Sequence, residues 1–288
     1  MKVVHDEVSQ KDGRLYVVAT PIGNLDDITL RALKVLAEVE IVAAEDTRNT
    51  ATLLARHGIA KRPVALHEHN EAKMAGQVIA WLREGRSVAL VSDAGTPGLS
   101  DPGALVVAEA MAAGMRVVPI PGANAAVAAF SASGLVQGRF LFYGFLPGRA
   151  AARRSAIAEL AQQPWALVFY EAPHRILECV DDLAAGLAGE RTIVIARELT
   201  KMFESIASLP LPEAPAWLRA EANRQRGEFV LIVSGAEEKH GETDAEWEKM
   251  LGCLLEELPL AQAVRLTCAA TGARRKAVYE RALAQKKE

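Results

Sequence analysis

The stretch SDAGTPGLSDPG, residues 92–103, decides the fold of this chain. It follows a short apolar run at residues 87–91 and precedes a helical pattern at 103–113. A loop rich in glycine and proline between a buried strand and a helix lies at the carboxyl end of that strand, where parallel α/β sheets bind their ligands. The stretch therefore predicts an α/β fold with a ligand cleft at this edge of the sheet.

Strand-like and helix-like segments alternate on both sides of this loop. The strand-like runs are apolar without alternation, so we expect both faces of the sheet to be buried. Alternating strands and helices predict a mostly parallel sheet covered by helices on both faces. The predicted strands of this half are residues 15–19, 40–44, 63–66, 87–91 and 116–120, and the predicted helices are 28–37, 47–56, 70–83, 103–113 and 124–133.

A second α/β region follows a predicted domain boundary near residues 134–139. Its helices are fewer and its strands more closely spaced, which favours a mixed sheet; the predicted strands are 140–143, 166–170, 192–196, 205–209 and 229–234. The predicted organisation is a polar tail at 1–13, an N-terminal α/β domain at 14–135, a C-terminal α/β domain at 136–236 and a helical extension at 237–288.

The helical extension is divided by charge. Residues 236–263 carry eight acidic and two basic side chains, whereas residues 264–288 carry seven basic and two acidic ones. Pro259 is placed to start a helix and Gly272 to make the turn before the last one. The outline is typical of a helix-turn-helix unit, or equally of a bundle with a solvated basic face. The predicted helices are 244–257, 260–270 and 274–285.

Composition excludes several classes of protein. Of the 288 residues, 50% are hydrophobic and 24% charged, which is typical of a folded chain. A net charge of −3 excludes a globally basic, histone-like protein, and an aromatic content of 5% argues against a binder that stacks single-stranded bases. Three dispersed cysteines form no disulfide framework or zinc motif, and no stretch is long enough to span a membrane. We expect a cytoplasmic protein.

Common catalytic and cofactor motifs are missing from the sequence. There is no G-x-G of the Rossmann fingerprint, no phosphate-binding loop, no H-E-x-x-H and no G-x-S-x-G. His67 and His69 flank Glu68 without a third ligand, so we predict no metal. Instead, four predicted strand ends run into glycine-, proline- or aspartate-rich loops, which together indicate a cleft built for a ligand. These loops are residues 20–24, 92–103, 121–124 and 171–175.

The same loops carry a family resemblance. The chain resembles the tetrapyrrole (corrin/porphyrin) methylases, and within them it is similar to the group of small-subunit ribosomal RNA cytidine 2′-O-methyltransferases. The combination of TPIGN, EDTR and SDAGTPGLSDPG is highly specific. The matching stretches run almost continuously from residue 15 to 235: LYVVATPIGNLDDITLRAL, AAEDTRNT, LVSDAGTPGLSDPG, VVPIPGANAAVAA, FYGFLP, LVFYEAPHRI, RELTKMFE and GEFVLIVSG.

The resemblance implies a fold, a cofactor and a reaction. The implied fold has two α/β domains of the tetrapyrrole methylase type, a cofactor cleft between them and a C-terminal helical extension. The implied reaction uses S-adenosyl-L-methionine to methylate the ribose of a cytidine in the decoding region of 16S ribosomal RNA, within the small ribosomal subunit. A homodimer is implied as well. The implied cofactor-binding residues are Pro21, Ser92, Asp93, Ala94, Thr96, Gly122, Asn124, Ala125, Tyr170 and Glu171.

Methylation of a ribose hydroxyl is helped by a base that accepts its proton. We favour Asp46, because it ends a predicted strand at the loop-bearing edge, and we also predict Glu45 and Glu204 as catalytic residues. The alternative for Asp46 is a helix N-cap before residues 47–56. Asp101 and His174 are further candidates.

Basic residues near these loops and in the extension are candidates for contact with RNA phosphates. For Arg48 the alternative is an ion pair with Asp46, and for the arginines after residue 148 it is a solvated helix face. The best whole-segment candidate runs from residue 274 through Lys286 and Lys287. The predicted RNA-binding residues are Arg48, Arg149, Arg153, Arg154, His174, Arg175, Lys201, Arg274, Arg275 and Lys276.

Two other functions stay open at this point. One is a small-molecule methylase acting on a tetrapyrrole precursor, against which the basic extension argues. The other is a non-catalytic nucleic-acid-binding protein, against which the four intact cleft loops argue.

Overall fold

The computed structural model describes residues 13–136, 138–187, 189–236 and 240–285, of which 240–246 are described by their backbone only. The predicted polar tail at 1–13 therefore lies outside the described residues except for Gly13, as do Lys286 and Lys287. The chain divides into two compact units after Ala236. None of the helices in the described ranges is long and apolar enough to cross a membrane.

The first sheet has the strand order β3-β2-β4-β1-β5, and all of its pairings are parallel. Every residue of β2 and β4 is buried, because helices cover both faces of the sheet, as predicted. The strands are β1 (Arg14–Val18), β2 (Ile41–Ala44), β3 (Val64–Ala65), β4 (Val88–Val91) and β5 (Arg116–Ile120). The helices of this half are α1 (Leu30–Glu38), α2 (Thr47–Arg56), α3 (Glu71–Arg83), α4 (Ala104–Ala112) and α5 (Ala125–Ser131).

Two apolar layers enclose this sheet. On one face Leu36 of α1 and Leu54 of α2 pack with Val42 of β2. On the other face Val78 of α3 and Val106 of α4 pack with the neighbouring strands. This sandwich buries both faces of the strands, and it leaves the loops after their carboxyl ends free to build a site.

The second sheet is mixed, as predicted, with the order β6-β7-β10-β8-β9. The β6–β7 pair is parallel and the other pairs are antiparallel. Its strands are β6 (Phe140–Phe145), β7 (Ala166–Glu171), β8 (Thr192–Arg197), β9 (Ser205–Pro210) and β10 (Phe229–Val233). Its helices are α6 (Ala150–Leu160), α7 (Ile176–Gly186) and α8 (Ala214–Ala220), and they pack on one face.

Helix α5 covers the other face of the second sheet. Ala126 and Ala129 of this helix are buried against Val168 of β7 and Val230 of β10. The helix thus follows the last strand of the first sheet in sequence and packs on the second sheet. It links the two sheets and brings the end of β5 close to the end of β7. The domain boundary near 134–139 stays a prediction.

The C-terminal unit contains α9 (His240–Glu257), α10 (Leu260–Thr271) and α11 (Arg275–Gln285). Trp247, Leu251, Val264 and Val278 form its buried centre. Gly272 adopts a left-handed conformation (φ 69°) and ends α10, as its position predicts. Helix α9 begins at 240, whereas the sequence predicted a start at 244. The first turn contains weak helix formers such as glycine, which do not indicate a helix.

Candidate active site

A cavity of about 290 Å³ lies between the two sheets, and all four predicted cleft loops contribute to it. The loops of the first sheet supply Ile22, residues 94–96 and 99–101, Asn124 and Ala125. The second sheet supplies Phe145, residues 170–173, Ala196, Leu199, Lys201 and residues 228–230. The structure therefore brings together segments that are far apart in sequence, at the edge where the strand ends predicted a ligand site.

Backbone pairing holds the loop after β4 in place. Thr20 N donates to Gly95 O at 2.8 Å, and Gly95 N donates back to Thr20 O at 3.1 Å. Gly95 has φ 77°, a left-handed conformation that glycine adopts without steric penalty. The Thr96 hydroxyl donates to Ala123 O at 3.2 Å and joins this loop to the loop after β5. Three of the four loops are thus fixed to one another around the cavity.

The predicted cofactor residues divide into two sets. Six of them line the cavity: Ala94, Thr96, Asn124, Ala125, Tyr170 and Glu171. The other four are placed differently among the described residues: Pro21 and Ser92 are buried, Gly122 lies against Ala19, and Asp93 is exposed. The Asp93 carboxylate accepts from Asp46 N at 2.8 Å and from Asn49 Nδ2 at 3.0 Å, so it fixes the start of α2.

A group of four carboxylates lies beside the cavity: Glu45, Asp46, Asp93 and Asp101. Asp101 is the member of this group that lines the cavity. Burial, together with the negative charges of Glu45 and Asp93, raises the pKa of Asp101 to about 6. Burial likewise raises the pKa of Glu45. A carboxylate with a pKa near neutrality is suited to accept a proton at physiological pH.

Asp46 takes the capping position that was the alternative to its catalytic role. Its Oδ1 accepts from Arg48 N at 2.8 Å, and its Oδ2 lies 2.6 Å from Arg48 Nη2. These bonds lower the pKa of Asp46 to about 2. A carboxylate so strongly stabilised in its charged form is a poor proton acceptor, so the geometry favours Asp101 over Asp46.

The other predicted catalytic residues also do structural work. Glu45 Oε2 accepts from Asp93 N at 3.3 Å, and Glu204 Oε2 accepts from Thr200 N at 2.5 Å. Neither carboxylate is among the described residues that line the cavity. The sequence places both residues beside predicted strands, but it does not show that Glu45 contacts a segment 48 residues away or that Glu204 turns back onto its own loop.

Glu171 is the buried carboxylate of the cavity, and its side chain has no exposed surface. Its Oε1 accepts from Ala172 N at 2.8 Å and lies 3.3 Å from Arg175 Nε. Its Oε2 is buried with no hydrogen-bond partner in the part of the chain that the structure describes. Because an atom without exposed surface cannot meet a ligand in the cavity, we interpret this carboxylate as a support for Ala172 and Arg175 before α7, beside the Cys179 thiol, whose pKa is raised by burial and by this carboxylate.

The predicted RNA contact of Arg153 needs correction. The Arg153 side chain is only 2% exposed, and its guanidinium lies 2.6 Å from Asp182 and 3.3 Å from Glu178. It therefore binds α6 to α7 inside the protein. Arg175 likewise points inward and donates to Leu146 O at 2.6 Å.

Lys201 is also engaged within the chain. Its ammonium lies 2.9 Å from Glu198 and 2.7 Å from Glu228, at the wall of the cavity. The remaining predicted RNA-binding residues are on the surface. These are Arg48, which pairs with Asp46, Arg149, Arg154 and His174 in the first unit, and Arg274, Arg275 and Lys276 at the start of α11.

Sequence reasoning found Tyr170 and Glu171 but missed the rest of the wall that the second sheet contributes. Phe145, Leu199 and Phe229 line the cavity without belonging to a predicted cleft loop. Phe145 lies in β6, where Gly144 (φ 81°) accompanies a shift of strand register, and its ring contacts that of Tyr170 at 5.7 Å. The FYGF stretch, with its glycine inside a strand, was the one signal of an irregularity at this point.

Comparison with known proteins decides the family. Residues 14–215 match the model of the Tetrapyrrole (Corrin/Porphyrin) Methylases. The chain belongs to the tetrapyrrole methylase family. Residues 241–286 match the RsmI C-terminal HTH domain, which agrees with the helix-turn-helix outline. The resemblance drawn from the cleft loops is thereby confirmed.

Curated relatives assign this tetrapyrrole methylase to a narrower group. A protein of Pseudomonas aeruginosa is 51% identical over 273 residues, which cover 94% of this chain and 97% of the relative. A protein of Escherichia coli O157:H7 is 46% identical over 281 residues and covers 98% of each. Both are named ribosomal RNA small subunit methyltransferase I.

Solved structures confirm the predicted fold class. The methyltransferase CobJ matches with a TM-score of 0.58 and 22% identity over 78% of this chain and 95% of that one. Uroporphyrin-III C-methyltransferase from Thermus thermophilus, solved with S-adenosyl homocysteine, matches with a TM-score of 0.55 and 19% identity over 77% and 97%. At these identities the likeness concerns the fold alone.

Proposed function

We propose that this tetrapyrrole methylase transfers a methyl group from S-adenosyl-L-methionine to the 2′-hydroxyl of a cytidine in the decoding region of 16S ribosomal RNA, within the small ribosomal subunit. The observation that carries the proposal is the cavity between the sheets, which combines four cleft loops with Asp101, a carboxylate whose pKa is raised to about 6. The relatives named ribosomal RNA small subunit methyltransferase I support the class of acceptor.

The cavity residues fit S-adenosylmethionine in charge and polarity. Among the lining residues, Asp101, Glu228 and Lys201 have charged side chains with exposed surface, and their net formal charge of −1 favours a ligand with cationic groups. Apolar side chains such as Ile22, Leu199 and Val230 suit the face of an adenine. When bound, S-adenosylmethionine supplies an electrophilic methyl group on a cationic sulfur. We keep Glu171 in the proposed cofactor site as a wall residue only, because its carboxylate has no exposed surface.

Asp101 is the residue we propose as the general base. A ribose hydroxyl ionises far above neutral pH, so a positioned acceptor for its proton contributes roughly 10²–10⁴-fold to the rate. With a pKa of about 6, Asp101 is mostly ionised at neutral pH and still basic enough to take the proton. The rigid loops around it contribute by holding the acceptor oxygen in line with the methyl group.

Exposed cations supply the proposed contacts with RNA phosphates. Arg274, Arg275 and Lys276 are exposed together at the start of α11, in the unit that matches a helix-turn-helix model. In the first unit Arg48, Arg149, Arg154 and His174 are exposed and are the secondary candidates. We further propose a cytoplasmic location and a homodimer, the latter to be checked by light scattering during gel filtration.

A comparison of acceptors tests the proposed function. The purified protein is incubated with S-adenosylmethionine labelled in the methyl group and, in parallel, with small ribosomal subunits lacking their modifications, with a tetrapyrrole precursor, or with neither. We expect label in the ribosomal RNA only. Label in the macrocycle would instead establish the small-molecule alternative. Cofactor binding without transfer to either acceptor would contradict the proposed reaction.

A further inference from the structure

The loop between β8 and β9, residues 198–204, presents two large apolar side chains to solvent. Met202 is 91% exposed and Phe203 is 68% exposed. Two neighbours in the same loop, Leu199 and Lys201, line the cavity. The apolar tip is therefore continuous with the rim of the proposed active site.

The backbone of this loop is strained. Glu198 has φ 51° and Thr200 has φ 65°, although neither is a glycine. A left-handed conformation at such residues persists only where the surrounding structure enforces it, and it concentrates at functional sites. Ordinary surface connections avoid this strain by using glycine or asparagine at the same positions.

Hydrogen bonds within the second sheet enforce the conformation. Glu198 Oε1 accepts from Lys201 Nζ and from Glu228 N, each at 2.9 Å. Arg197 Nη2 donates to Phe203 O at 2.9 Å, which fixes the backbone that carries the exposed ring. Phe203 is thus a solvent-exposed aromatic residue on a rigid support.

The loop is also tied to the first sheet. Asn24 N donates to the Thr200 hydroxyl at 3.0 Å. A Cβ at Gly23 would lie 2.6 Å from Lys201 Cγ and 2.7 Å from Thr200 Oγ1, so only glycine permits this close approach. The position of Phe203 is consequently fixed relative to both walls of the cavity.

Together with Arg197, the loop has no net charge, and this property helps to identify the ligand of the apolar tip formed by Met202 and Phe203. Arg197 and Lys201 offset Glu198 and Glu204, so the segment has no excess of positive charge to attract phosphates. An exposed aromatic ring binds the face of an unpaired base independently of base identity, and such stacking is a main mode of recognition for unpaired RNA.

Resting on the function proposed above, we propose that Phe203 stacks on an unpaired base of the ribosomal RNA beside the nucleotide that enters the cavity, and so positions that nucleotide. The apolar tip, its rigid support and its continuity with the cavity carry this assignment. Phe203 is a positioning residue for the acceptor, and it does not contact the bound cofactor.

A substitution series at Phe203 separates stacking from a general apolar contact. Methyl transfer to unmodified small subunits is measured for wild type, Phe203→Ala, Phe203→Leu and Phe203→Trp, together with calorimetric affinity for S-adenosylmethionine. Because base stacking is worth roughly 10-fold or more in affinity, we expect alanine and leucine to raise KM about 10-fold and tryptophan to restore it. Met202→Ala, the matched apolar control, should leave KM within about twofold.

Two further readouts make the outcome decisive. Cofactor affinity should be unchanged in every variant, and the KM defect should persist between about 0.05 M and 0.2 M salt, because stacking involves no counterion release. A wild-type KM for Phe203→Leu would overturn the stacking assignment. So would a change in molar mass for Phe203→Ala, since the tip would then join two copies of the chain. Failure of the wild type to label subunits would overturn the proposed function instead, before any variant is compared.

Discussion

Asparagine in place of Asp101 removes the ionisable group of the proposed base and changes both stability and rate. The pKa of Asp101 is raised from an ordinary 3.8 to about 6, mainly by burial. Between these values the folded protein holds a proton that the unfolded chain has lost, so stability falls as the pH rises through this window. Above about pH 6 this loss of folding stability is complete.

The size of the stability effect follows from the shift. The folded and ordinary pKa values of Asp101 differ by about 2, which corresponds to roughly 3 kcal/mol of folding free energy at about 1.36 kcal/mol for each pKa unit. Asp101 is partly exposed, so solvent screening reduces this to about 1–1.5 kcal/mol. Asp101→Asn is therefore expected to unfold at higher urea than wild type at about pH 8, and its advantage at about pH 4.5 should be roughly a third as large.

Urea unfolding at the two pH values measures this difference, and Glu159→Gln provides a matched control. Glu159 is an exposed carboxylate on α6, and the same change of carboxylate to amide there should have little effect at either pH. An equal stability difference between Asp101→Asn and wild type at both pH values would refute the raised pKa.

The kinetic effect of the same substitution tests the assignment as base. The single-turnover rate of the wild type should rise with pH through about 6 and then level off, because the base must be deprotonated. Asp101→Asn should react roughly 10²–10⁴-fold more slowly, and its rate should no longer rise with pH through about 6. An unchanged rate in a variant that binds the cofactor would exclude Asp101 as the base.

The remaining predictions concern one cavity residue, one buried ion pair and the basic surface. Glu171→Gln should leave the calorimetric affinity for S-adenosylmethionine within about twofold, because the carboxylate has no exposed surface from which to contact the cofactor; a roughly 10-fold loss would contradict this placement. Arg153→Ala should lower the free energy of unfolding by about 3 kcal/mol, because it leaves the largely buried Asp182 carboxylate without this partner, whereas substitution of a surface residue would cost under about 1 kcal/mol. Alanine at Arg274, Arg275 and Lys276 should raise KM for small subunits and flatten its salt dependence without changing cofactor affinity; an unaltered salt slope would contradict a phosphate contact.

Local sequence patterns were sufficient to predict the layered fold. Runs such as IVAA at 41–44 and VALV at 88–91 are apolar on both faces, and a covered parallel sheet is the arrangement that buries them. The four cleft loops could be predicted because glycine, proline and aspartate follow directly after these apolar strands. Helix α5 shows the limit of this reasoning, because its partner surface is the second sheet, which follows it in sequence.

The roles of individual charged side chains depended on which partner each one meets, either a local partner or one on a distant segment. Asp46 and Asp101 both lie at loop edges, and the sequence favoured Asp46. The structure pairs Asp46 with Arg48 and turns Asp101 into the cavity. The sequence predicted Arg153 as an exposed RNA-binding cation, because its partner Asp182 lies on another helix, 29 residues further along the chain. Patterns within a single helix cannot reveal such a pair.

The most direct test of the central claim is the identity of the labelled nucleotide. Small ribosomal subunits lacking their modifications are methylated with tritiated S-adenosylmethionine, and the RNA is then hydrolysed by alkali and separately mapped with nucleases. A 2′-O-methyl group blocks alkaline cleavage, so the account predicts label in an alkali-resistant dinucleotide that contains cytidine and maps to the decoding region. Label released in alkali-sensitive mononucleotides would place the methyl group on a base and contradict the account.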